Sequence, residues 1–99
     1  MRRIVKSPQA DADLESLWLE SVQRFGVQQA DDFLLAIHRC FDLLADMPTL
    51  GVARPEISPD LRLHLQPVPL VIAYRFTTEE LRILRVFHGR RSYEALLRE

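Results

Sequence analysis

The spacing of the apolar residues changes once along this chain, and that change restricts it to folds in which helices come first and strands follow. Up to Pro48 the apolar side chains recur at helical intervals; beyond Leu61 they alternate or run together as in strands. Leu14, Leu17, Trp18, Val22 and Phe25 lie three, one, four and three residues apart, which places them on one face of an α-helix. Ala30, Phe33, Leu34, Ile37, Phe41 and Leu44 form a second such stripe, which Pro48 closes by removing a backbone donor and clashing with the preceding turn. Helices segregated from strands in this way indicate an α+β fold.

Local signals sharpen the boundaries. The β-branched pair Ile4-Val5 marks a short strand over residues 2–6. Ser7 followed by Pro8 starts the first helix, with serine as cap and proline at the first helical position. Gly26 ends that helix by taking a left-handed conformation, so the two helices form an antiparallel hairpin with almost no loop. Trp18 and the phenylalanines at helical spacing are assigned to the core. Cys40 borders the second stripe as a small core residue, and His38 falls on the polar side as a surface residue.

Residues 47–60 hold Pro48, Pro55, Pro59 and Gly51, and form a connection packed against the domain or used by it. Leu61, Leu63 and Leu65 then alternate with Arg62, His64 and Gln66 as a half-buried strand, ended by Pro67 and Pro69. Residues 70–77 form a central strand, Thr78-Glu79-Glu80 turn the chain, and residues 81–88 return. Gly89 breaks that strand, and residues 93–98 make a last short helix capped by Ser92. The predicted fold is one domain over residues 1–99, with the helical hairpin packed on a mainly antiparallel four-stranded sheet.

A three-residue hairpin turn pairs Thr77 with Leu81, Arg75 with Ile83, Ala73 with Arg85 and Val71 with Phe87. Paired residues share a face. Leu70, Ile72, Tyr74, Phe76, Leu84 and Val86 then look toward the helices. A two-residue turn would instead bury Arg85 among Ile72, Tyr74 and Phe76 without an evident partner. The first register leaves an open face bearing Arg62, His64, Arg75 and Arg85 beside exposed Val71, Ile83 and Phe87. A surface both basic and apolar suits a protein partner.

The charge pattern agrees. The net charge of −1 hides a dipole along the chain. Residues 8–50 carry eight acids (Asp11, Asp13, Glu15, Glu20, Asp31, Asp32, Asp42, Asp46) against Arg24 and Arg39. Residues 61–91 carry Arg62, Arg75, Arg82, Arg85, Arg90 and Arg91 against Glu79 and Glu80. Twelve of the thirteen bases are arginine, whose planar fork grips carboxylates and phosphates.

Other chemistry finds no support in the residues. His38, His64 and His88 lack metal-ligand spacing, and with only Gly26, Gly51 and Gly89 there is no phosphate-binding glycine loop. One cysteine makes neither an internal disulfide nor a cysteine-rich zinc site. No apolar run has the length of a membrane helix, and the basic N-terminus lacks the apolar stretch of a signal peptide, so the expected location is the cytoplasm. No cofactor, metal site or catalytic residue is expected.

Ala53-Arg54-Pro55-Glu56, Leu61-Arg62, Ile72-Ala73-Tyr74-Arg75 and the run from Ile83 through His88-Gly89-Arg90-Arg91 occur here in a fixed order. Together with the order of elements, they resemble the ParE branch of the ParE/RelE toxins of type II toxin–antitoxin systems, over essentially the whole chain. The resemblance implies a toxin that inhibits DNA gyrase by binding and is neutralised by a cognate ParD-like antitoxin with an acidic C-terminal segment, as a hetero-oligomer. It implies no membrane and no sequence-specific nucleic-acid binding. On that reading Arg62, Val71, Arg75, Ile83, Arg85 and Phe87 receive the antitoxin, while His88, Arg90, Arg91 and Tyr93 reach the gyrase. Two alternatives stay open. A RelE-type ribosome-dependent mRNA endonuclease needs a lysine, arginine and tyrosine set; here Val71 stands where RelE-like chains carry arginine, Lys6 is the only lysine, and Arg91 and Tyr93 match in part. The other alternative is a ParE-like fold that binds antitoxin without being toxic.

Overall fold

The computed structural model describes residues 2–65, 70–88 and 97. Strand β1 (Arg3–Lys6) leads into α1 (Pro8–Phe25), which Gly26 alone separates from α2 (Val27–Asp46). A single 3-10 turn (Pro48–Leu50) and the two-residue β2 (Val52–Ala53) precede β3 (Arg62–His64), β4 (Leu70–Phe76) and β5 (Glu80–His88). The five strands form one sheet in the order β1-β5-β4-β3-β2, with β1 parallel to β5 and the other pairs antiparallel. The expected sheet thus gains one strand, β2, which forms inside the proline-rich connection by pairing with β3.

The helix boundaries follow from local chemistry. Ser7 Oγ accepts the Ala10 N–H at 3.0 Å, satisfying one of the donors a helix start leaves open. Gly26 adopts a φ of 90°, a conformation open to glycine, and its N–H still bonds Val22 O. Trp18 Nε1 ties the hairpin together by donating to Asp31 at 2.8 Å. The two helices pack on β5 and β1, where Leu14, Ile37, Phe41 and Leu44 meet Leu70, Ile72, Tyr74, Leu81, Ile83 and Val86. Burying side chains of this size contributes about 1.5–3 kcal/mol each.

A second, smaller core lies on the face away from the helices. Leu61, Leu63, Val71, Ala73 and Phe87 are buried there, with Ile57, Leu84 and Leu97 packed against them. The connection and Leu97 therefore cover much of the face expected to be open. The predicted last helix falls outside the described residues except for Leu97, which is helical.

The β4–β5 hairpin combines the two registers weighed above. Near the turn Tyr74 pairs with Ile83, Arg75 with Arg82 and Phe76 with Leu81; further along, Ala73 pairs with Arg85 and Val71 with Phe87. A bulge at Leu84 absorbs the difference. The turn itself is the two-residue one, closed by Thr77 N–H to Glu80 O at 2.8 Å, and Thr77 Oγ1 accepts the Glu79 and Glu80 amides. The bulge lets Leu81 and Ile83 enter the helix-side core without burying Arg85.

Several expectations are corrected. Ile83 is fully buried on the helix side instead of exposed on the far face, and Leu84 takes the far side. Val71 and Phe87 do lie on the far face but are buried. Arg62 pairs with Tyr74 and His64 with Ile72, so both sit on the helix side. The helices pack mainly on β5 and β1, and Leu63 of β3, with Leu61 before it, is covered on the other face by Ile57 of the connection. Phe25, assigned to the core from its spacing, is 60% exposed at the last position of α1. His38 is half-buried, with Nδ1 2.9 Å from Leu34 O and its ring edge-on to Phe41.

Candidate functional site

Three of the four sheet residues expected to form a bare basic face are occupied within the chain. Arg62 donates to Gly51 O at 2.7 Å, and its guanidinium lies 5.9 Å from the centre of the Phe76 ring. Arg2 flanks the same ring at 5.3 Å, so Phe76 is held between two guanidinium groups. Arg75 Nε donates to Pro59 O at 3.1 Å, and a second guanidinium bond reaches Ser58 Oγ, pinning the connection to the far face. Arg85 lies 4.8 Å over the Phe87 ring and makes a two-point ion pair with Asp13 of α1, at 2.8 and 3.0 Å. The same carboxylate accepts the Val86 N–H at 2.9 Å. Asp13 thus caps the edge of β5 where β1 has turned away, since Ser7 N–H and Oγ already take Ile83 O and Leu84 O. Nothing in the local sequence singles out Asp13 for this, because its partners are 72 and 73 residues away. The fourth residue, His64, is half-buried in β3, and burial pushes its imidazole pKa down.

The basic surface that remains lies toward β1. Across β4, β5 and β1, Arg75, Arg82 and Val5 stand in one row on the far face. Arg3 stands beside it, and the Arg3 and Arg82 side chains are 72% and 58% exposed. Both guanidinium groups bond the single carboxylate of Glu80, and those bonds, Arg3 first and Arg82 second, hold its pKa below the usual carboxylate value. Two arginines sharing one carboxylate leave the row net positive.

A second concave feature sits at the hairpin tip. Leu17, Ser21, Arg24, Phe25, Phe33 and His88 line a cleft of about 560 Å³, rimmed by Glu20 and Asp32. His88, at the end of β5, meets the Phe33 ring edge-on at 6.3 Å. Phe25 and Val27 are both more than half exposed beside it. The only sequence signal for this cleft is a phenylalanine placed directly before the glycine that ends its helix. Arg90, Arg91 and Tyr93 lie outside the described residues.

Cys40 is half-buried and burial pushes its thiol pKa up, the opposite of an activated thiolate. Among the described residues no three of His, Cys, Asp and Glu converge as a metal-holding group. Among the described residues no helix is long and apolar enough to cross a membrane.

A helical hairpin packed on a mixed sheet, with arginines on β1, β3, β4 and β5, is the architecture of a known toxin family. The family model for the ParE toxin of type II toxin–antitoxin systems matches residues 4–93. The chain belongs to the ParE toxin family. It is 36% identical over 89 residues to Toxin ParE1 of Mycobacterium tuberculosis, covering 89% of this chain and 90% of that protein. It is 30% identical over 97 residues to Toxin ParE3 of Caulobacter vibrioides, covering 98% and 96%. A solved structure from the chromosomal ParDE toxin–antitoxin system of P. aeruginosa superposes with a TM-score of 0.76 at 23% identity. That superposition covers 91% of this chain and 98% of the other, and shows the shared fold. The ParE-family chain is therefore the toxin component of a type II toxin–antitoxin system.

Proposed function

We propose that this ParE-family chain works in the cytoplasm by binding DNA gyrase, without chemistry of its own, and that a ParD-like antitoxin with an acidic C-terminal segment neutralises it. The observation that carries the reading is the match to the ParE model over residues 4–93, within a fold that sets exposed Arg3 and Arg82 side by side on the far face of the sheet. Arg3, Arg75 and Arg82 form the part of that side suited to the antitoxin's carboxylates. Arg62, Arg85, Val71, Ile83 and Phe87 support it from within, as buried or internally bonded residues. His88, at the cleft, and Arg90, Arg91 and Tyr93 beyond it are assigned to the gyrase contact.

The endonuclease alternative is less well supported. Of the set that alternative needs, Lys6 stands at the end of β1, 3.8 Å from Asp11, buried Val71 supplies no cation where arginine is wanted, and Arg91 and Tyr93 lie outside the described residues, so the constellation is incomplete. The test is a gyrase supercoiling assay with purified chain, run beside a ribosome-bound mRNA cleavage assay. Inhibited supercoiling or accumulated cleaved DNA, reversed by the antitoxin and with the mRNA intact, is the expected result. Codon-specific mRNA cutting with no effect on gyrase would overturn the proposal.

A further inference from the structure

The cleft at the hairpin tip is floored by side chains of both helices. Leu17, Ser21 and Phe25 follow one another four residues apart along α1, and Phe33 lines the cleft from α2. The stretch of α1 from Leu17 to Phe25 rises about 12 Å, the length of roughly two helical turns. Ser21 is buried, and as a small side chain between two large ones on the same stripe it leaves room above the floor. Phe25 and Val27 remain exposed at one end, and large apolar side chains exposed together beside a cleft mark a binding surface.

The charges decide what fits. On the rim Arg24 is paired with Glu20 at 3.4 Å, whereas exposed Asp32 has no ion-pair partner among the described residues. The surrounding hairpin is acidic, with eight acids against two bases over residues 8–50, so the field at the cleft is negative. An acidic segment of the kind that suits Arg3 and Arg82 is therefore repelled here. A second copy docked tip to tip would bring the same carboxylates of both chains together, because a two-fold contact places like patches against each other. A segment that carries an apolar anchor beside lysine or arginine complements both the floor and the rim.

We infer that the cleft at the hairpin tip receives a segment of gyrase that presents a bulky apolar side chain flanked by lysine or arginine. The apolar side chain sits over Ser21 between Leu17, Phe25 and Phe33, and the basic group meets Asp32. A buried apolar anchor in a pocket supplies most of the affinity of such a contact, and the rim charge selects the partner. The inference rests on the gyrase reading above and adds to it a contact on α1 and α2, on residues apart from the arginine row offered to the antitoxin.

Inhibition of gyrase supercoiling by the full chain, measured beside its affinity for the product of the adjoining reading frame, tests it. Phe25→Ala removes an exposed side chain and Asp32→Lys reverses an exposed charge, so both are expected to fold. Each is expected to raise the concentration for half-inhibition about tenfold or more and to leave antitoxin affinity unchanged. Leu35→Ala removes an exposed apolar side chain of α2 outside the cleft and is expected to inhibit as the parent does. Should Phe25→Ala melt early, Asp32→Lys decides. Parent-like inhibition by the folded cleft variants overturns this inference and leaves the gyrase reading standing. Weakened antitoxin binding with gyrase inhibition intact gives the cleft to the antitoxin and overturns it too. A parent chain without effect on gyrase overturns both.

Discussion

The Tyr74 hydroxyl accepts the Gly51 N–H at 2.8 Å and donates to Pro48 O at 2.5 Å, locking the turn after α2 onto the central strand. The ring is fully buried, and burial raises its pKa despite the Gly51 bond and nearby Arg62. A Cβ on Gly51 would meet the hydroxyl oxygen at 2.3 Å, so glycine is required here for space, at an ordinary φ of −72°. Tyr74→Phe leaves a buried amide and a buried carbonyl unpaired, and is expected to cost about 1–3 kcal/mol. Gly51→Ala is expected to destabilise as well, by displacing the ring. Urea denaturation of each variant checks both, and a Tyr74→Phe midpoint equal to the parent's would show that the lock adds no stability.

Asp13 is the corresponding lock between α1 and β5. Asp13→Ala removes the ion pair with Arg85 and the acceptor for Val86 N–H, in a place where the two side chains are only 16% and 28% exposed. The expected loss is about 1.5–3 kcal/mol, the range for bonds to charged groups. Asp13→Asn keeps one oxygen acceptor and is expected to lose less. Equal losses in the two variants would mean that the charge, and not the acceptor geometry, holds this edge.

These two locks mark what the sequence made legible and what it did not. The helices were readable because their signals are local: the apolar intervals, Ser7-Pro8 and Gly26 each act within a turn or two. Alternation located the strands and gave the pairs Ala73–Arg85 and Val71–Phe87, but nearer the turn the bulge at Leu84 shifts the register, so that Arg75 meets Arg82 and not Ile83. That bulge answers a conflict between two demands, placing Ile83 in the helix-side core and keeping Arg85 out of it, which no single register satisfies. The faces of β3 were misread because they depend on how far the helices reach across the sheet. The basic face was expected at Arg62, His64, Arg75 and Arg85, yet Arg62, Arg75 and Arg85 are drawn into bonds with Gly51, Pro59 and Asp13, contacts made across long stretches of chain.

Glu80 makes acid sensitivity a test of how β1 is held. Its native pKa lies below the ordinary value of 4.5 because Arg3 and Arg82 bond the charged form. The unfolded chain therefore takes up this proton more readily, so the stabilisation is complete above about 4.5 and is lost as pH falls through the native value. The stability difference between the parent chain and Glu80→Gln is expected to be largest near neutral pH and to shrink on acidification toward about pH 3. A difference that stays constant across that range would show that the bonds to Arg3 and Arg82 do not depend on the carboxylate's charge.

The two classes of arginine on the far face predict different consequences for the same substitution. Arg75 anchors the connection through Ser58 and Pro59, so Arg75→Glu is expected to lower thermal stability as well as antitoxin binding. Arg82 is 58% exposed and among the described residues bonds only Glu80 beside it, so Arg82→Glu is expected to leave the fold intact. It reverses a charge in the row proposed to meet the antitoxin's carboxylates, and such a reversal slows association and steepens its loss with salt. Measuring binding kinetics at low and moderate ionic strength, with melting curves of each variant alongside, separates the two. An Arg82→Glu chain that melts and binds like the parent at both salt concentrations would move the antitoxin off this part of the sheet.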